Sequence, residues 1–223
     1  MSKTVSFIST GQGPRDDIMY EMIRHLSPEI TIREVGAFDD FALDELDQFG
    51  PKNGEESTVS RVRDMTMFEF TMKATTDYVQ KKIDEEVAAG TDMIVILCTS
   101  EFPPFRSAVP ILDPYELIHG NVSVLKGNCA VGAMFPYEPY EQMMADSWER
   151  DGVPVIYKTI PSADANKEEY VEFFREAGVK LLVMDCISYK YETKKYYAEK
   201  LGIPVIHPKS LIISTVHNML ALD

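Results

Sequence analysis

The stretch Ala89–Ser100, AGTDMIVILCTS, recurs further along the chain as Ala177–Ser188, AGVKLLVMDCIS, with Ala, Gly, Val, Cys and Ser in matching places. In each copy a glycine ends a helix, an apolar run forms a strand, and a cysteine stands at the strand's carboxyl end, Cys98 in the first and Cys186 in the second. A chain that repeats one supersecondary unit is constrained to build related halves. Parallel βα units bind ligands beyond the carboxyl ends of their strands, so both cysteines are expected where a substrate sits. Two thiols, one from each half, suit an enzyme that moves a proton between the two faces of one carbon.

The rest of the chain follows the same alternation of strand and helix. Val5, Phe7 and Ser9 begin a first strand, and Gly11, Gln12, Gly13 and Pro14 turn it into a helix with Pro14 expected at the first helical position. A second strand follows at 30–35. Residues 36–71 interrupt the rhythm: Gly36 to Gly54 is acidic and irregular, and then Thr58, Ser60 and Val62 alternate with Val59, Arg61 and Arg63 before a turn at Asp64-Met65 and a return strand at 67–70. That pattern predicts a β-hairpin inserted between a strand and the next helix. Thr71 is placed to cap that helix and Gly90 to end it.

The second half predicts strands at 130–135, 153–157 and 181–184 and helices at 138–150 and 166–177. A tail of two helices and a short strand at 204–207 is expected to cross back onto the first half. The fold class is therefore α/β, with two pseudo-symmetric βαβαβ lobes, parallel sheets flanked by helices, and a hairpin in the first lobe. The first lobe is expected to span residues 1–112 with 205–223 and the second 113–204, with a cleft between them.

Composition removes several function classes. A net charge of −14 argues against nucleic acid and anionic membranes as partners, since both are held by surplus Lys and Arg. No apolar run approaches the roughly 18 residues that span a bilayer. The opening residues MSKTVSFIST read as a strand and not as a signal peptide, so a cytoplasmic location is expected. Three cysteines make an odd set without a CxxC pair, which favours reduced thiols. The histidines at 25, 119, 207 and 217 show no ligand spacing, so a metal site is not expected.

Inverting a carbon acid needs one base to remove a proton and a second group to return one on the opposite face. Cys98 and Cys186 can do this as a thiolate and a thiol that exchange roles. A free thiol titrates near pH 8.5, so N–H groups, a cation or a helix amino terminus must support the thiolate. Ser188 is placed to cap the helix after Cys186, whereas Pro103-Pro104 bars a helix immediately after Cys98. The loop Thr10, Gly11, Gln12 with Arg15 offers hydroxyl, N–H and guanidinium groups to a substrate carboxylate, or else serves only as a tight βα turn. Thr99, Ser100, Ser188 and Tyr189 are the natural polar groups for the rest of a substrate.

Other residues have ordinary structural explanations. Cys129 fills the core, Asp185 points away from Cys186 as a structural acceptor, and Glu101, Arg106 and His207 are solvated loop residues. Arg61 and Arg63 face solvent or pair with local acids. Met65, Met67 and Met72, with Phe68 and Phe70, form either ordinary core or an exposed patch that a homodimer partner or a lid covers.

Five segments together resemble the AroM-like family: STGQGPRDD at 9–17, VGAFDDFALDEL at 35–46, SRVRD at 60–64, LCTSEFP at 97–103 and MDCISY at 184–189. The likeness runs over essentially the whole chain. The family resembles a branch of the aspartate/glutamate/hydantoin racemase superfamily, whose members use two cysteines and no pyridoxal phosphate. Two departures stand out, since Cys98 runs into Thr99, Ser100, Glu101, Phe102 and two prolines, and Cys186 is followed by Ile187, Ser188 and Tyr189. The resemblance implies a cofactor-independent racemase or epimerase of a small carboxylate-containing molecule, amino acid or hydantoin-like. An isomerase or decarboxylase of a small dicarboxylate, or a small-molecule sensor without turnover, are the competing readings.

Overall fold

The computed structural model describes residues 3–221. Met1, Ser2, Leu222 and Asp223, which the expected first lobe includes, lie outside the described residues. Two compact units emerge, residues 3–114 with 219–221, and Tyr115–Asn218.

The first unit contains β1 (Lys3–Ser9), α1 (Asp16–Ile23), β2 (Ile30–Gly36), the hairpin β3 (Ser57–Arg61) and β4 (Met67–Thr71), α2 (Met72–Ala88), β5 (Met93–Ile96) and β6 (Ile111–Leu112). Its four parallel strands run in the order β2-β1-β5-β6. The hairpin pairs antiparallel with Thr58 opposite Phe70 and Ser60 opposite Phe68, as the alternation predicts. Its turn contains no glycine, and Met65 takes the left-handed conformation at φ +69°. Thr71 caps α2 by accepting the Ala74 N–H at 3.2 Å, and Gly90 ends that helix region with φ +85°.

The second unit contains α3 (Pro114–Leu125), β7 (Val131–Phe135), α4 (Glu141–Arg150), β8 (Val155–Thr159), α5 (Glu168–Glu176), β9 (Leu181–Met184), α6 (Tyr191–Leu201), β10 (Val205–Ile206) and α7 (Pro208–Met219). Its strands run in the order β10-β9-β7-β8, all parallel. Taken from β7 onward in chain order, this is the arrangement of the first unit: second strand, first, third, fourth. The duplication seen at the cysteines therefore extends to the whole sheet.

The tail departs from expectation. Residues 205–218 belong to the second unit, where β10 pairs with β9 and Leu182 donates its N–H to the Pro204 carbonyl at 3.1 Å. The reason is backbone satisfaction, because a two-residue strand covers an edge of β9 whose N–H and C=O groups otherwise lack sheet partners. The boundary also falls at 114 in place of 112. Pro14 lies two residues outside α1, whose N-cap is Arg15. Helix α3, absent from the sequence reading, precedes β7.

Strand alternation decides which way each cysteine faces. Leu182 and Met184 join one buried cluster with Phe174, Tyr189 and Tyr197, while Leu181 and Val183 join the opposite one with Trp148 and Phe135. Cys186 packs against the first of these clusters, keeping the phase of Met184 beyond the strand's end. In the first unit Ile94 and Ile96 belong to the cluster built on Phe38, Phe70 and Val79, and Cys98 packs against it in the same phase. Phe38 stacks on Phe70 with centroids 4.1 Å apart, which fastens the hairpin to the loop after β2.

Candidate active site

Both cysteines are free thiols of intermediate exposure, and the chain folds back on each sulfur in the same way. Ser100 donates its backbone N–H to Cys98 Sγ at 3.4 Å, and the Cys98 thiol donates to Ser100 Oγ at 3.4 Å. At the second cysteine Ser188 donates its N–H to Sγ at 3.4 Å, with Ser188 Oγ 3.1 Å from the same sulfur. Each Cys-x-Ser turn thus gives its sulfur an amide and a hydroxyl, the groups that stabilise a thiolate.

Ser188 does this without capping a helix, which corrects the sequence expectation. Helix α6 begins at Tyr191 with Lys190 as N-cap, so Ser188 lies in the turn before it, where Tyr189 donates its N–H to the Cys186 carbonyl at 3.3 Å. Residues after Cys98 form no helix either, in line with Pro103-Pro104.

The glycine loop after β1 is locked to the hairpin. Gly11 sits so close to β3 that an added Cβ would lie 2.1 Å from the Arg61 carbonyl oxygen, and Gln12 donates its N–H to that carbonyl at 3.1 Å. The Gln12 side-chain amide donates to the carbonyls of Phe38 at 3.0 Å and Phe41 at 2.9 Å and accepts the Arg63 N–H at 3.1 Å. Gln12 therefore joins three segments, and both ends of its amide are occupied.

Arg15 is 4% exposed and forms a two-pronged pair with Asp17 at 2.8 and 2.9 Å. Burial works to raise the Asp17 carboxyl, but the Arg15 hydrogen bond and the charges of Arg15 and Arg61 outweigh it and hold the group below its usual range. Arg15 is a satisfied structural cation in this arrangement. Arg61 and Arg63 pair with Asp17 and Asp39 at 3.7 and 3.6 Å.

Thr10 donates its hydroxyl to Ser60 Oγ at 3.1 Å, and Thr58 Oγ1 lies 3.3 Å from Ser100 Oγ. Thr58 and Ser60 are buried on the hairpin's inner face. Neither stood out in the sequence, where their one signal is the hydroxyl at every second position of β3. Thr99 is buried, and so is Ser9, whose Oγ has no hydrogen-bond partner among the described residues. The hairpin's methionines lie outward, with Met65 and Met67 exposed, while Phe70 is fully buried.

Tyr189 is turned inward in the second unit. Its side chain is fully buried, its hydroxyl donates to the Ile160 carbonyl at 2.6 Å, and burial pushes its phenol well above the ordinary value. His207 is equally buried and not a solvated loop residue, because Nε2–H donates to the Tyr189 carbonyl at 2.8 Å and Nδ1 accepts from Ser210 Oγ at 3.0 Å. Burial, with Lys209 and Lys194 nearby, lowers its pKa to about 3 despite the Tyr189 carbonyl. Asp185 points away from Cys186 and accepts the Trp148 indole N–H at 2.8 Å. Cys129 is exposed in the turn before β7 and does not fill the core. Glu101 and Arg106 are exposed in the loop after Cys98.

An open depression of about 1130 Å³ on the second unit, lined in part by Tyr137, Tyr157, Lys158 and Phe173, holds neither cysteine. Among the described residues no group of three His, Cys, Asp or Glu side chains is placed to hold a metal ion, and no helix is long and apolar enough to cross a membrane.

Comparison with solved structures places this architecture among racemases and isomerases. Allantoin racemase from Klebsiella pneumoniae is similar at a TM-score of 0.63 and 12% identity, over 99% of this chain and 88% of that one. Maleate cis-trans isomerase from Nocardia farcinica gives 0.61 and 13%, over 99% and 93%. An aspartate racemase homologue from Pyrococcus horikoshii gives 0.58 and 9%, over 99% and 100%. Curated proteins give no match in sequence. The model of the AroM protein family matches residues 5–220, so the chain belongs to the AroM family and has the fold of the aspartate/glutamate/hydantoin racemase superfamily.

Proposed function

We propose that the protein is a cofactor-independent racemase or epimerase of a small carboxylate-containing substrate, with Cys98 and Cys186 as its acid/base pair. The observation that carries this reading is the matching pair of contacts at both sulfurs, each with a serine N–H and a serine hydroxyl two residues on. Buried structural cysteines have no need of such groups, and thiolates do. In the step itself the Cys98 thiolate takes the α-proton to become a thiol, while the Cys186 thiol gives its proton to the opposite face and becomes a thiolate. The next turnover runs in reverse.

The groups of the first unit offered to the substrate are the hydroxyls and backbone amides of Thr10, Thr99 and Ser100 and the backbone of Gly11. Gln12, Arg15 and Tyr189 act by holding loops in place, since their polar atoms are engaged within the protein. The test is incubation in heavy water with single enantiomers of amino acids, hydroxy acids and hydantoins. Loss of the α-proton signal with growth of the mirror isomer supports the reading, and folded protein that exchanges none of them removes it.

A second reading, isomerisation of a small unsaturated dicarboxylate, draws support from one asymmetry. Ser100 Oγ meets a further hydroxyl, that of Thr58, whereas Ser188 Oγ hydrogen-bonds to no second hydroxyl among the described residues. Unequal cysteines suit a reaction with one nucleophile and one auxiliary thiol. Conversion of maleate-like acids in the same assay distinguishes the two.

A further inference from the structure

The hairpin reaches the first cysteine through a chain of three groups. Cys98 Sγ and Ser100 Oγ are 3.4 Å apart, and Ser100 Oγ and Thr58 Oγ1 are 3.3 Å apart. Thr58 is 3% exposed, so water is not a ready substitute for it. A hydroxyl donates one hydrogen bond and accepts others, and its O–H rotates to suit its neighbours.

The chain can therefore run in either direction. With Cys98 as a thiol, S–H donates to Ser100 Oγ and the serine hydroxyl donates to Thr58 Oγ1. With Cys98 as a thiolate, Thr58 donates to Ser100 Oγ and Ser100 donates to the sulfur, where its own backbone N–H already points at 3.4 Å. Reversal takes two hydroxyl rotations and no movement of heavier atoms. In neither state is a buried hydroxyl left without a partner.

We propose that Thr58 is a positioning residue for Cys98, acting through Ser100 to support the thiolate and to let thiol and thiolate interconvert. Its catalytic consequence rests on the two-cysteine reading, and makes Cys98 the sulfur that more readily takes the base role. The control of one sulfur by the hairpin does not depend on turnover.

The experiment measures alkylation by iodoacetamide at Cys98 and at Cys186 separately, by peptide mass spectrometry, from about pH 6 to about pH 10. In Thr58→Val the pH midpoint for Cys98 rises and its rate near neutrality falls roughly threefold to tenfold, the size expected for one lost hydrogen bond. Cys186 keeps its profile, and Thr58→Ser restores that of Cys98. In a Ser100→Ala background, which itself raises the Cys98 midpoint, Thr58→Val adds nothing further. A Cys98 profile in folded Thr58→Val that superimposes on the parent overturns the proposal, as does an equal shift at Cys186. Should Thr58→Val not fold, an unshifted Cys98 midpoint in Ser100→Ala overturns it equally. No substrate enters the assay, so a failed racemase reading and a failed positioning role for Thr58 give separate results.

Discussion

Ser188 donates its backbone N–H to the sulfur of Cys186 at 3.4 Å, the same length that separates the Ser100 N–H from Cys98. The same serine-to-sulfur contact after equivalent strands in both units ties the duplication of the sequence to the chemistry of its sulfurs. Removing the hydroxyls tests their part in it. Ser100→Ala and Ser188→Ala should each lower turnover of a responsive substrate by about tenfold, the worth of a hydrogen bond to a charged group, with little change in thermal stability. Steady-state kinetics with a melting curve for each variant checks this, and an unchanged kcat/KM contradicts it.

Gly11 is fixed by its neighbour. A Cβ there would lie 2.1 Å from the Arg61 carbonyl and 2.7 Å from Ser60 Oγ, so Gly11→Ala must push the hairpin off the loop. The expected cost is about 2 kcal/mol or more in urea unfolding, with faster hydrogen exchange over 57–71 than over β1. Equal protection of the hairpin in the variant would show that the loop yields instead.

His207 makes stability depend on pH in a stated direction. Its folded pKa is lowered to about 3, against an unfolded value near 6.5, because burial disfavours the charged ring and Lys209 and Lys194 add to this, outweighing the hydrogen bond to the Tyr189 carbonyl. Below about pH 6.5 the unfolded chain takes a proton that the folded chain refuses, so stability is lost as pH falls towards 3. The slope is about 1.4 kcal/mol per pH unit for this group, or roughly 3 kcal/mol by pH 4. His207→Gln should flatten the dependence while lowering stability at neutral pH, as read from urea unfolding at several pH values.

Trp148, the one tryptophan of the chain, stacks on His119 with centroids 3.6 Å apart. Burial lowers the His119 pKa, and its hydrogen bond to Asp151 opposes this incompletely. Tryptophan emission should therefore be quenched on acidification with a midpoint below 6.5, as the ring beneath it becomes charged. His119→Gln removes the transition. Emission that titrates identically in the variant would assign the quenching elsewhere.

Much of the fold was legible because it rests on local signals. The repeated helix–glycine–strand–cysteine run, the hydroxyl alternation of the hairpin, Thr71 and Gly90 all carry their structural reason within a few residues. Asp185 was legible through strand phase alone. The failures are tertiary. Gln12 and Arg15 look like ligand groups until Phe38, Phe41, Arg63 and Asp17 are seen to occupy them. Helix α3 has a weak sequence signal because Gly120, Val122 and Val124 lower its helical propensity, and burial of Ile118 and Val122 secures it. Strand β10 falls inside the short strand expected at 204–207, but its partner does not follow from its own residues: it pairs on the edge that β9 offers. Thr58 and Ser60 acquire meaning from loops 42 and 50 residues away.

The central claim is that both sulfurs move protons, and it is tested most directly by comparing Cys98→Ser and Cys186→Ser with the parent on one enantiomer of a responsive substrate in heavy water. Two working bases predict that each single variant loses inversion by at least about a hundredfold, the contribution of a positioned acid or base. Inversion that survives in either variant at near the parental rate contradicts the account.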